Sequence, residues 1–479
     1  MASMKSLESH SCDVPLTPHL LMHKLLALVV ALALFTSTGT AQVITVGPGG
    51  TYANIQVAIN ASPAGSILFV QPGTYAAFTL NKPLDIIGPG SGNAVISNGF
   101  TVSNLPAGTT SLISGFKVKS KGTTCFPTQL NPTPNCTGVI QVKSGPGAIT
   151  FADIVADMQA DTKRTGVTMK IVDSHQVQLQ SCILSGESFE LHTVFPATSD
   201  DDLATTALDI STSTVRLVDC QLTGGQGGTT VAYLINHHHA GSTPLVASAS
   251  TVELYRTAVF GGSGGSQDVP YSSTKYALRG LPGISASQTT LRLLGGTGAV
   301  VQAGDPPCIG DCVSGTDAVS LTLGSVVELV QNQALAPSLS CQYSGCPYSS
   351  DGVPIGLDGT STEIDLPYFM PSIKGTSTTL ALGASSTINV NGDFNQPFAA
   401  YLALDITSPL PIAGIEGSIL IDLASANLFA AIGLDPVGFA NLPFQIPADA
   451  TLLGLQGNLQ GIQLGPLLKL TNVWTFTVH

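Results

Sequence analysis

The stretch Val177-Gln-Leu-Gln-Ser-Cys-Ile-Leu-Ser-Gly186 decides the fold, because it comes back. It returns as Val215-Arg-Leu-Val-Asp-Cys-Gln-Leu-Thr-Gly224 and as Val252-Glu-Leu-Tyr-Arg-Thr-Ala-Val-Phe-Gly261. Looser copies open at Leu291 and Val327 downstream, and at Ile149, Leu112 and Leu84 upstream, with starts 28 to 39 residues apart. Self-similarity at this period means a stacked, quasi-one-dimensional architecture in which each unit touches only its neighbours. Within each copy, period-2 alternation puts Val and Leu on one face and Gln, Arg or Glu on the other. Each unit also carries an earlier apolar strand, such as Val167-Thr-Met-Lys-Ile171, Ala207-Leu-Asp-Ile210 or Val319-Ser-Leu-Thr-Leu323. A short third strand ends at the terminal glycine. Three strands per unit and about eight units predict a parallel β-helix over residues 42–353. The extra length per repeat falls after that glycine, in 186–206, 224–247, 261–276, 298–317 and 335–353. The loops therefore project from one side of the solenoid.

The opening of the chain carries a resemblance. Tyr52-Ala-Asn-Ile-Gln56, Ile67-Leu-Phe-Val-Gln-Pro-Gly-Thr-Tyr75 and Leu84-Asp-Ile-Ile-Gly88 resemble the first coils of right-handed parallel β-helix proteins of the pectin-lyase-like group. The resemblance implies a short helix capping the first coil, with Thr51 placed to cap it and Ile55, Ala58 and Ile59 on its buried face. It covers roughly residues 43–350 and speaks for fold. The enzymes of that group use G-H-G and R-x-K segments, or W-x-D-H and R-x-P-x-x-R, and none of these occurs here. The chain has five arginines, Arg164, Arg216, Arg256, Arg279 and Arg292. Arg216, Arg256 and Arg292 fall on outward positions of separate strands, where neighbours such as Glu253 can pair with them.

Residues 1–41 read as a signal peptide. Met22-His-Lys24 precedes an apolar run from Leu25 to Phe35, and Gly39-Thr-Ala41 supplies small residues before Gln42. The run is too short to span a bilayer, and either Met1 or Met22 serves as the start. The reading is a secreted or cell-surface protein with no transmembrane segment in the mature chain. The whole chain carries 17 Lys+Arg and 30 Asp+Glu. Losing Lys5, Lys24, Glu8 and Asp13 leaves 15 against 28, still a net of −13. An acidic balance argues against nucleic acid as the partner. Charged residues are only 10% of the chain, against roughly 25% on average.

Nine cysteines less Cys12 of the leader leave eight, an even number in an exported chain. The expected disulfides are Cys125–Cys136, Cys308–Cys312, Cys341–Cys346 and Cys182–Cys220. The last pair follows from the repeat, which stacks the two residues one strand spacing apart. Zinc binding by Cys308 and Cys312 lacks a second ligand pair, so no metal is expected.

From about Ser377 the pattern changes to short strands between Gly/Pro turns. This predicts a linker over 354–376 and an antiparallel β-sandwich over 377–479. Ile446-Pro-Ala-Asp-Ala-Thr-Leu-Leu-Gly-Leu-Gln456 with Leu470-Thr-Asn472 resembles a C-terminal module of exported planctomycete-type surface proteins. Trp474 alternates with Phe476 and reads as core.

The sharpest chemical feature is His237-His238-His239 in the 224–247 loop. One coil earlier, the 186–206 loop carries His192 and Asp200-Asp201-Asp202. Loops leaving on the same side can bring these groups together as a metal site or as a histidine base for an acidic substrate. The competing reading is a solvated acidic loop with histidines bonded to backbone. Tyr271, Tyr343 and Tyr348, all in loops, are the candidates for glycan contact. Two functions follow: a non-catalytic scaffold binding a polysaccharide or a surface protein, without cofactor, or a divergent polysaccharide lyase or hydrolase, for which calcium would be relevant.

Overall fold

The computed structural model describes residues 42–121, 139–159, 166–188, 204–227, 229–232, 235–238, 240–264, 280–295, 299–305, 314–330, 333–340, 351–366, 371–393, 395–404, 406–411, 415–416, 418–435, 439–465 and 468–479. Gln42–His479 forms one unit. The leader read over 1–41 lies outside the described residues. Among the described residues, no helix is long and apolar enough to cross a membrane.

The repeat becomes three parallel ladders, and the protein is a parallel β-helix. The Val-x-Leu strands stack in register, Ile149 on Val177, Val215, Val252, Leu291 and Val327. A second ladder joins the strands that precede the glycines, Ile183–Ser185, Gln221–Thr223, Ala258–Phe260, Val300–Gln302 and Ala334–Ala336. The third joins nine strands from Phe78–Leu80 to Ile355–Leu357, one more than the eight or so coils expected. Val177, Leu179, Val215, Leu217, Val252, Leu254, Leu291, Leu293 and Val327 all point inward and are at most 3% exposed. Each such burial is worth about 1.5–3 kcal/mol. The helix Ile55–Ala61 packs against the first coil through Ile55, Ala58 and Ile59. Its N-cap is Asn54 rather than Thr51. The Asn54 carboxamide oxygen accepts from the Gln56 and Val57 amides, satisfying two of the helix's unpaired donors.

Both short corners turn through left-handed residues, and each carries a file of small polar side chains. At the corner entering the Val-x-Leu strand, the amides of Ser144, Ser174, Ser213, Ser250, Thr289 and Ser325 each donate to the hydroxyl one coil further on, ending at Ser361. The Ser174, Ser213, Ser250 and Thr289 hydroxyls in turn donate to the carbonyl two residues back. The other corner holds Cys182, Cys220 and Thr257, and here the disulfide expectation is corrected. Cys182 and Cys220 are buried free thiols. Each does what Thr257 does: Sγ donates to the carbonyl two residues back, Gln180 or Val218, as the Thr257 hydroxyl donates to Tyr255. In-register stacking gives both side chains the same direction. Their Cβ separation then stays near one strand spacing of about 4.8 Å, wider than the roughly 3.8 Å typical of a disulfide. Burial pushes the Cys220 thiol's pKa well up. The pairs Cys125–Cys136, Cys308–Cys312 and Cys341–Cys346 lie outside the described residues.

The sequence frame slips at one upstream strand. Leu112 pairs with Asp85 and Thr150, so Ile113 is the inward residue and Leu112 faces out. A one-residue shift reverses every side chain, and Ser111-Leu-Ile-Ser114 offers two apolar neighbours between which alternation cannot choose. The linker expected over 354–376 also yields: Ile355–Leu357 and Thr362–Leu366 pair in parallel with the coil before them. There the alternation inverts, with Glu363 standing on the Val327 position, and the apolar file ends.

The C-terminal module is a sandwich. A three-stranded antiparallel sheet (Ser372–Gly375, Ser385–Asn391, Phe439–Gln445) faces a larger sheet built on Pro397–Ala403, Asn427–Gly433, Gln456–Gln463 and Leu468–Val478. The larger sheet is mainly antiparallel, with parallel pairings to Thr379–Leu380 and Ile415–Glu416. Trp474 is core, stacked on Phe476 and edge-on to Phe444.

Candidate functional site

The outward face of the Val-x-Leu ladder is where the fold meets chemistry, and it divides into two parts. Upstream, Ile67, Ile87, Leu112 and Ala152 form an apolar cluster on the outside of the coils, with Phe69 packed on it. The module closes this cluster. Gly454 stands against it at φ +80°, a left-handed conformation that favours glycine, and a Cβ there would press on Ile67 Cδ1 at 2.7 Å. Further along, the Gln180 side chain is buried and completes a strand edge. Its Nε2 donates to Thr475 O at 3.3 Å, and its Oε1 accepts from Thr475 N at 3.2 Å. Leu468–Val478 is buried from Lys469 onward, by the sandwich core on one side and, on the other, by Ile419, Leu420 and Ile421 of the module around Leu470 and Val473 and by the β-helix at Thr475. Lys374 of the module reaches Asp219 at 3.2 Å, and Asp219 also receives Arg256 Nη2 at 2.8 Å. The residues of the IP…LTN resemblance thus have structural work. Asp449 caps Ala450–Leu452, Gly454 meets the β-helix, and Asn472 bonds both backbone groups of Ile373.

Downstream, the row between Val and Leu is ionic. Arg216, Glu253, Arg292 and Glu328 are successive partners across four coils, alternating in sign. Arg216 Nε donates to Glu253 Oε2 at 2.8 Å, and its Nη2 joins the same oxygen. Arg292 reaches Glu253 Oε1 at 3.4 Å and Glu328 Oε2 at 2.7 Å. Burial alone would raise the Glu253 pKa. The Arg216 charge and hydrogen bonds, with Arg292 behind them, outweigh it and hold the carboxyl below the usual glutamate range. Burial also pushes the Tyr255 phenol well up, while the Arg216 guanidinium lies 5.7 Å from its ring centroid.

Between these two parts lies a cleft of about 220 Å³. Its floor is two outward rows: Gln176, Thr214 and Thr251 in one, and Thr150, Gln178, Arg216 and Glu253 in the other. His175 stands at its edge, and Leu420 and Val473 of the module contribute to its lining. The sequence reading names none of these as a site, although the x of Val-x-Leu marks one row. Nothing local to the repeat announces that Leu420 and Val473 come to meet it.

The loop side holds most of the candidates read from sequence. The loop bases form a single file of backbone bonds: Thr205 N to Glu187 O, Gly225 N to Thr205 O, Ser242 N to Gly225 O, Gly262 N to Ser242 O, Leu281 N to Gly262 O and Gly304 N to Leu281 O. Outgoing and returning segments alternate, so these loops leave at one corner. The closeness explains the terminal glycines, since a Cβ on Gly186 would sit 1.9 Å from Thr205 O and one on Gly224 would sit 2.2 Å from Ser242 O. His237 and His238 are consecutive positions of the hairpin strand Ile235–His238, paired with Thr230 and Thr229. Their side chains, together with His192, Asp200, Asp201, Asp202, His239, Tyr271, Tyr343 and Tyr348, lie outside the described residues. Among the described residues, no group of three or more His, Cys, Asp or Glu is arranged to hold a metal ion.

No family model matches the chain, and no curated protein matches it. Solved structures give distant likenesses. The enzymatically active domain of bacteriophage CBA120 tailspike protein 2 is 9% identical over 88% of this chain and 73% of that one, with a TM-score of 0.27. Full-length tailspike protein 2 from an Escherichia coli O157:H7 bacteriophage is 10% identical over 88% and 60%, with a TM-score of 0.24. The Bacillus subtilis sporulation control protein Spo0M is 9% identical over 24% and 50%, with a TM-score of 0.15. Likenesses of this size describe neither activity nor ligand, so the chemistry has to be read from this chain's own residues.

Proposed function

We propose that the protein is an exported, surface-associated β-helix scaffold that retains a polysaccharide without cleaving it. One observation carries the reading: the charge on the outer face is closed on itself. Cleavage of an acidic polysaccharide calls for a cationic or basic group free to act beside the substrate. On this face Arg216 and Arg292 are each paired with carboxylates, and Arg256, expected on an outward strand position, sits instead in the left-handed corner after the strand and is paired with Asp219. What is left to the solvent side is amide, hydroxyl and the single imidazole of His175, with no second titratable group unpaired beside it in the cleft lining, a set that suits neutral polyols. The leader-like residues 1–41, low charge and the IP…LTN resemblance support export and a surface location.

The test uses residues 42–479 with a panel of neutral and acidic polysaccharides, with calcium and with chelator. Retention on immobilised polysaccharide and product chain length by mass spectrometry are read together. The expected result is retention of at least one polymer with no new oligosaccharide. New, shorter products that vanish in a His237–His239 to Ala variant would replace this reading with a lyase or hydrolase acting from the loop side. Binding confined to a surface protein would replace the ligand but keep the scaffold. Export is checked by the N-terminus of the secreted protein, expected at Gln42.

A further inference from the structure

We infer that the cleft between the Val-x-Leu ladder and the C-terminal module binds one neutral sugar unit, a deepening that rests on the polysaccharide reading. The cleft is mixed in chemistry. From the β-helix come the polar side chains of Gln176, Gln178, Thr214, Thr251 and His175 set among Ala148, Ile149, Val177 and Val215, and from the module come Leu420 and Val473, so polar groups stand in a mainly apolar lining. A sugar ring has the same two characters, hydroxyls around its edge and C–H groups on its faces. An apolar ligand would strand the Thr214 and Thr251 hydroxyls without water, at about 1–3 kcal/mol for each buried group. The His175, Thr214 and Thr251 side chains have no hydrogen-bond partner among the described residues, so they are available.

Charge decides against an ionic ligand. The charged side chains lining the cleft, Arg216 and Glu253, are bonded to each other, and Glu253 also holds Arg292. A uronate or sulfated sugar would have to be desolvated with no unpaired cation to meet it, which is costly. Size limits the occupant to a short segment. About 220 Å³ is below the roughly 300–1,000 Å³ of pockets that enclose a drug-sized molecule. The ladder also sets spacing: Gln176, Thr214 and Thr251 sit on adjacent strands, so their groups recur about every 4.8 Å along the axis. The site is incomplete without the module, because Leu420 and Val473 belong to it. Docking of the module on the apolar cluster upstream therefore builds the site.

The experiment uses residues 42–479 with methyl-labelled Leu and Val, titrated with neutral gluco-, manno- and galacto-configured hexasaccharides. It compares wild type, Thr214→Trp, which fills the cleft from an exposed position, and a Gln176→Ala/Gln178→Ala double variant. Unchanged thermal unfolding of Thr214→Trp checks that the fold survives. The expected result is a shift of the Leu420 and Val473 methyls with at least one sugar, and a loss of affinity of about tenfold or more in both variants, equal to about 1.4 kcal/mol. A polysaccharide retained equally by wild type and both variants, with those methyls unmoved, overturns the cleft site and leaves the scaffold reading standing. No methyl shift and no retained polymer at all overturns both.

Discussion

The two ends of one sheet face make the instructive comparison. Across the Val-x-Leu ladder the inward residues are the same kind throughout, yet the outward residues are Ile67, Ile87, Leu112 and Ala152, in two neighbouring rows, at one end, and Arg216, Glu253, Arg292 and Glu328 further along the row that holds Ile67 and Leu112. The backbone pairing is equivalent in both. What differs is the cover: the module packs over the first set, while the second is only partly buried and satisfies its charges along the stack. Inward positions are set by the coil's own core. Outward positions are set by whatever comes to cover them, and the cleft forms where one regime passes into the other.

The comparison can be broken by exchanging the chemistry of its two halves. The largest effect is expected from Leu112→Asp, which places a carboxylate in a covered apolar cluster with no cation provided. A loss of about 3 kcal/mol or more is predicted. Urea unfolding followed by Trp474 fluorescence should change differently from far-ultraviolet dichroism, since the single Trp reports the module. Gln180→Ala comes next. It leaves Thr475 N–H and C=O without partners in a buried seam, at about 1–3 kcal/mol, and a Gln180→Glu variant should not restore it, because a carboxylate cannot donate to Thr475 O.

The ionic half responds to pH. The folded Glu253 carboxyl lies below its ordinary value, so the unfolded chain takes up a proton first on acidification. Its contribution is fully present above about pH 4.3, the ordinary glutamate value, and is lost as pH falls through the lower folded value. Glu253→Gln should cost about 1–2 kcal/mol near neutrality and flatten the acid limb of the stability–pH curve. A carbon-13 titration of the Glu253 carboxyl that finds a midpoint at or above 4.3 would contradict the pairing. The smallest effect is expected for Arg292→Ala. Its side chain is 40% exposed and its two ion pairs are screened, so a loss under about 1 kcal/mol is predicted, smaller still in high salt.

What could be read from sequence follows the same division. Where a core on one side faces water on the other, period-2 alternation is unambiguous, and Val177, Val215 and Val252 announce the ladder. Where both faces are covered, the signal fades. Leu112 and Ile113 are both apolar because the module covers one and the coil the other. Thr362–Leu366 reads as linker from sequence because Glu363 stands in the file on the Val327 position. Cys182 and Cys220 share a repeat position for the reason Thr257 does, as donors at a corner. The cleft could not be found in the repeat at all, since Leu420 and Val473 lie far along the chain from a floor that ends at Glu253, and carry no motif. The repeat also places the loop bases, which share one corner, whereas the candidate side chains on those loops lie outside the described residues.

The exchange rate of the Thr475 amide proton tests the account most directly. Thr475 N–H bonds to Gln180 Oε1, so it reports docking itself and not the module's own sheet. In the full chain, selective labelling of threonine should show this amide protected in wild type. In Leu112→Asp and Gln180→Ala it should exchange faster by at least tenfold, while Thr251 and Thr290 in the β-helix stay protected. Equal, slow exchange of Thr475 in all three proteins would contradict the claim that the apolar end of the ladder seats the module and completes the cleft.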